Sequence, residues 1–176
     1  METQARKQAL NLGLYMGLTL ILVTTICYVV NVGWLANFWV GLLNLVLVFS
    51  FALFSCYAAR KIFKFPSFKD VFTSYTITVA LGLIISTLFT IILFNFIDTD
   101  AADIIKEKSI EEVQGIMERF NAPQADIDKA VQEARNADNN FSVGSQIQGY
   151  FIFLAIMLLI GLLASLLFRK KDPTLA

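Results

Sequence analysis

The sequence predicts an all-α fold: an integral membrane four-helix transmembrane bundle with an extracytoplasmic amphipathic helical hairpin between spans three and four. Three observations carry that expectation. Hydrophobic residues make up 57% of the 176 residues, Phe alone occurs 16 times, and the mean hydropathy is +0.66, far above a soluble average. Three runs contain no Asp, Glu, Lys or Arg: residues 8–59 (52 residues), 71–97 (27 residues) and 139–168 (30 residues). Between the second and third runs the chain turns charged and Ala-rich, in "SIEEVQGIMERFNAPQADIDKAVQEAR" from Ser109. The length suits a single domain, 1–176.

Crossing a hydrocarbon core of about 30 Å takes about 20 residues at about 1.5 Å each. The first run therefore holds two spans and the others one each. The hairpin dividing the first run falls in "NVGWLAN", residues 31–37. Asn and Gly there tolerate turn geometry, and Trp34, with Trp39 just beyond, prefers the headgroup level. Spans are expected at about 10–30, 38–58, 71–97 and 147–168, with the extracytoplasmic helical segment at about 98–140. Pro66, Pro123 and Pro173 all lie outside the spans, so none carries a proline kink. Arg6 and Lys7 before the first apolar stretch resemble a signal-peptide start, but the stretch is too long and no small-x-small site follows it. A retained first helix is the expectation.

The zero net charge hides a separation. The first tail (Arg6, Lys7), the middle loop (Arg60, Lys61, Lys64, Lys69) and the last tail (Arg169, Lys170, Lys171) hold nine basic residues against Glu2, Asp70 and Asp172. Residues 98–138 hold five basic residues and eleven acidic ones. Short loops dense in Lys and Arg stay in the cytoplasm. Both termini and the middle loop are thus expected inside, and the acidic segment outside. Cys27 then lies near the outer end of span one and Cys56 near the inner end of span two, too far apart for a disulfide, whose Cα atoms lie within about 7 Å. Both are expected to be buried, inert thiols.

In the external segment, "SIEE" reads as a capping box, with Ser109 as N-cap and Glu112 reaching back. Ile110, Val113, Met117 and Phe120 recur on one helical face, "NAP" at 121–123 breaks that helix, and Ile127, Ala130, Val131 and Ala134 repeat at helical spacing in a second. Two helices this short are marginal alone in water. Their stripes must bury against their own bundle, a partner or the lipid surface, and the acidic balance argues against the last. Ile110, Val113, Met117, Phe120, Ile127 and Val131 are the candidate partner-docking face. "DTDAAD", residues 98–103, invites a divalent-cation reading, but acidic residues at a helix start also complement its dipole. No metal site is expected.

Inside the spans no residue is ionised. Asn44 and Asn95 are the notable amides, and an interhelical hydrogen bond is the ordinary role for Asn44, substrate binding the rarer one. Thr78, Gly82, Ser86 and Thr90 lie four apart on span three; Gly13 and Gly17 make a GxxxG on span one; Gly161 and Ser165 make a small-xxx-small pair on span four. Such stripes let backbones approach closely where lipid removes the hydrophobic drive for association. Span three is the expected central contact, within one chain or between copies; lining a pore is the alternative use of its hydroxyls.

With no histidine, catalytic triads, His-ligated metals and imidazole acid–base schemes are excluded together. No phosphate-binding glycine pattern occurs, and the hairpin carboxylates show no converging pair. No enzyme activity, no cofactor and no nucleic-acid partner are expected.

"RKQAL" before a Gly-containing first span, "FPSFKDVFTSY" leading into the third with Phe68, Phe72 and Tyr75, "FIDTD" at its exit and "GLLASLLFRKK" closing the fourth give the chain its order of parts. In that layout it resembles an uncharacterised domain-of-unknown-function family of bacterial four-span inner-membrane proteins. The resemblance implies a bacterial inner-membrane setting and no established activity. The expected function is a non-enzymatic structural or accessory membrane protein, held in the lipid bilayer and associating with itself or another membrane protein; a small transporter or channel subunit acting as an oligomer is the alternative.

Overall fold

The computed structural model describes residues 3–63, 65–137 and 139–169. Glu2, Lys64, Asp138, Lys170, Lys171, Asp172 and Pro173, which enter the charge and proline readings, lie outside the described residues. Among those described, all regular structure is helical. The helices are α1 (Thr3–Val30), α2 (Phe38–Ile62), α3 (Phe68–Ile92), α4 (Thr99–Arg119), α5 (Gln124–Asn136) and α6 (Val143–Phe168). A 3₁₀ turn at Val32–Ala36 joins α1 to α2, and a π-type turn at Leu93–Ile97 continues α3. Four helices are long and apolar enough to cross a membrane: α1, α2, α3 with its π turn, and α6.

Helix limits follow local capping rather than the edges of the apolar runs. The α1–α2 turn falls where "NVGWLAN" places it, because both asparagines cap: Asn31 Oδ1 accepts from Gly33 N–H (2.9 Å) and Asn37 Oδ1 from Trp39 N–H (2.9 Å). α3 starts three residues earlier than its apolar run, at a reciprocal capping box of Ser67 and Asp70. Ser142 likewise starts α6 at Val143, ahead of the expected 147, by accepting from Ser145 N–H.

α3 is the hub of the bundle, packed against α1, α2 and α6. Its buried face, Val71, Tyr75, Val79 and Leu83, meets Met16 and Leu20 of α1, Val48, Ala52 and Cys56 of α2, and Met157 and Ala164 of α6. Cys27 and Cys56 are free and buried. A second cluster closes one end of the bundle: Leu93 and Phe94 of the π turn pack with Ala101, Ala102 and Ile105 of α4, flanked by Tyr28, Leu35 and Phe141.

The capping box expected at Ser109 does not form. Ser109 sits in the middle of α4, its hydroxyl donating to Ile105 O (2.8 Å), and Glu112 accepts from Asn37 Nδ2 (2.8 Å) instead. The N-cap is Asp98, whose Oδ1 accepts from Ala101 N–H (3.0 Å) and whose Oδ2 accepts from the Tyr28 hydroxyl (2.8 Å). Burial of Ala101, Ala102 and Ile105 against the bundle end holds the preceding stretch helical, which lengthens the helix by about three turns. The break after α4 lies where "NAP" predicts it. Asn121 adopts a left-handed φ of 54°, its N–H bonds to Glu118 O (3.0 Å) and Ala122 N–H bonds to Met117 O (3.0 Å), a Schellman closure that Pro123 follows as the N-cap position of α5.

Candidate functional site

The small residues singled out from the sequence divide between two places. Gly13 and Gly17 of α1 face Thr78 and Gly82 of α3 at backbone contact: a Cβ on Gly13 would sit 3.0 Å from Thr78 O, one on Gly17 2.8 Å from the Ile85 side chain, and one on Gly82 3.0 Å from Gly13 O. Thr78 is fully buried there, its hydroxyl 3.0 Å from Ala9 O and 2.8 Å from the Ser55 hydroxyl, which donates to Ser74 O (3.0 Å). One side chain thus ties α1, α2 and α3 together. On α6, a Cβ at Gly161 would enter the ring of Tyr75, whose hydroxyl donates to Met157 O (2.8 Å). Ser165 is buried one turn further on, its hydroxyl without a partner among the described residues. Ser86 and Thr90 leave this seam and line a cavity.

That cavity, of about 530 Å³, lies between α1, α2, α3 and the first half of α6. Leu20, Leu45, Val48, Leu83 and Phe153 supply much of its apolar wall, and Phe94 against Phe141, ring centroids 4.6 Å apart, lines it at the α4 end. Its polar groups are Thr24, Asn44, Ser86 and Thr90, one on α1, one on α2 and two on α3. Thr90 is held by Gln146 of α6 (2.5 Å), and Asn95 Nδ2 donates to Phe141 O (2.8 Å), so the start of α6 is pinned to the end of α3. Asn44 Oδ1 is buried with no hydrogen-bond partner among the described residues. An acceptor left so costs about 1–3 kcal/mol. At the rim, Gly41 and Leu45 are exposed, and a Cβ on Gly41 would meet nothing within 4 Å. Gly41 to Val48 lie three to ten residues past Phe38, so the cavity reaches from about 5 to about 15 Å down α2.

The hairpin residues are not one open face. Ile110 and Ile127 are buried, Met117 and Val131 half-buried, and Val113 and Phe120 exposed. Phe120 is 81% exposed and borders a pocket of about 440 Å³ shared with Phe38, Trp39, Glu112, Ile116 and Arg119; Trp39 is itself 70% exposed. The far end of α4 therefore comes down beside the start of α2, with Asn37 and Glu112 as the polar clasp. α5 is held by Ile127 and by Lys106, whose ammonium donates to Arg135 O (3.0 Å) and Ala137 O (2.7 Å). Two of the three "DTDAAD" carboxylates have structural partners: Asp98 caps α4 and Asp103 accepts from Asn139 Nδ2 (3.0 Å). Among the described residues no three His, Cys, Asp or Glu gather as a metal set.

Sequence reasoning missed the polar stitches of Tyr75, Tyr28 and Gln146, since each depends on which helix stands opposite. It flagged Asn44, whose isolation among apolar residues was the available signal. A family model described as "Protein of unknown function (DUF4199)" matches residues 11–170. No curated protein and no solved structure matches the chain.

Proposed function

The chain belongs to that family of unknown function, and on that premise we propose that it is a non-enzymatic multi-pass membrane protein of structural or accessory type, associating with itself or another membrane protein. The observation that carries this reading is the apolar patch of Phe38, Trp39, Val113 and Phe120, all exposed, where α4 meets the start of α2. Contiguous exposed apolar groups rimmed by charge mark interaction sites. α3 gives one face to the other three spans, so association falls to this patch and to the exposed outward faces of the spans. We place the protein in a bacterial cytoplasmic membrane with both termini inside. Supporting that orientation, Arg60, Lys61 and Lys69 gather at one end of the bundle and the acidic α4–α5 hairpin at the other.

A photo-reactive phenylalanine analogue at Phe120 tests the reading in native membranes. One discrete protein adduct, lost when Val113→Glu places a charge in the patch, is the expected result. Adducts with lipid alone would overturn it. The second reading, a small transporter or channel subunit, draws on the cavity and its unpartnered amide. It gains if vesicles of purified protein pass a solute and Gly82→Leu abolishes passage without loss of assembly.

A further inference from the structure

The cavity has three properties that together specify an occupant. Among the described residues no charged side chain lines it, so a bound group is neutral at that depth. Its opening, at Gly41 and Leu45, lies within the apolar length of α2 a few residues below Trp39, where the surrounding medium is the hydrocarbon edge rather than bulk water. Its buried Asn44 Oδ1 is an acceptor that no donor among the described residues reaches. A buried acceptor without a partner points to a missing donor. A volume of about 530 Å³ lies in the range of small-molecule sites, which combine apolar walls with a few placed polar groups.

We propose that this cavity binds one neutral amphiphile taken from the adjoining lipid leaflet, its hydrocarbon tail against Leu20, Val48, Leu83 and Phe153 and a hydroxyl or amide N–H donated to Asn44 Oδ1. The donor is essential to the assignment. A plain hydrocarbon would fill the walls and leave the amide oxygen as it stands. Thr24 of α1 and Ser86 of α3 offer hydroxyls to the remaining polar atoms of the same head. The site is separate from the Phe120 patch, so each can fail without the other.

The test uses the full chain in phosphatidylcholine vesicles and a monoacylglycerol carrying a diazirine in its chain and a terminal alkyne. Labelling is expected to saturate and to map to residues 41–48 and 83–90. Unlabelled monoacylglycerol displaces it, whereas the methyl ester of the same acyl chain, which has no donor, is about tenfold weaker. Gly41→Leu extends a side chain into open space at the rim and removes the saturable component. Asn44→Leu weakens half-saturation about tenfold. Gly115→Leu, equally open but on α4, labels as the unmodified protein does. Labelling that rises without saturation along all lipid-facing helices overturns the proposal, as does Gly41→Leu labelling unchanged or the methyl ester competing equally.

Discussion

Gly161 and Gly149 lie on the same helix, yet an added methyl meets opposite surroundings. At Gly161 it enters the Tyr75 ring, which cannot yield without releasing its hydrogen bond to Met157 O; at Gly149 it meets nothing within 4 Å. Gly161→Ala is expected to destabilise by about 1–3 kcal/mol through overpacking, and Gly149→Ala to be neutral or to stabilise by up to about 1 kcal/mol through helix propensity. Thermal unfolding in detergent compares them, and equal midpoints would refute the contact. Asn121 offers a second case: its φ of 54° suits Gly or Asn, so Asn121→Gly is tolerated whereas Asn121→Val costs about 1–2 kcal/mol. Gly13, Gly17, Gly82 and Gly161 were visible in sequence as small residues on helical stripes, though the stripe of α3 does not say that Ser86 and Thr90 leave the seam for the cavity. Tyr75 as the partner of Gly161 was not, since nothing in a linear string says that a ring from α3 fills a notch in α6.

At the scale of the element, α4 has two halves. Its first is anchored by Ala101, Ala102, Ile105 and Ile110, all buried, while beyond Ile110 it is held mainly by the Asn37–Glu112 bond and a shallow pocket. Hydrogen exchange should find the amides of 102–110 the slowest of the hairpin and those of α5 among the fastest. Lys106→Ala frees the last carbonyls of α5 and should speed exchange across that helix about fivefold, as expected for about 1 kcal/mol. Unchanged exchange in α5 would show that Ile127 and the Arg135–Glu107 ion pair hold it without Lys106. The hairpin's break was legible because "NAP" joins a residue tolerant of left-handed φ to one that cannot continue a helix. Its beginning was misplaced: "SIEE" satisfies a local rule, but burial of three residues upstream outweighs any single cap, and that burial exists only once the bundle end is built.

For the whole molecule, the proposed orientation can be read by labelling each end. Phe120→Cys should react with a membrane-impermeant maleimide in intact cells and Lys61→Cys only after permeabilisation, with buried Cys27 and Cys56 silent in both. The reverse pattern inverts every surface assignment made above. The four spans were readable because hydrocarbon thickness sets a minimum length that charge-free runs display directly. The cavity was not, because empty volume arises from how four helices diverge, and no one of them encodes that divergence. The central packing of α3 against three helices bears finally on synthesis. A ribosome releases α1 and α2 first, so Gly13 and Gly17 wait in the bilayer without the helix they fit, and Thr78 later arrives to bridge both at once. Nascent chains arrested after Ile62 should therefore be degraded quickly, and extension through α3 should be the step at which they become long-lived.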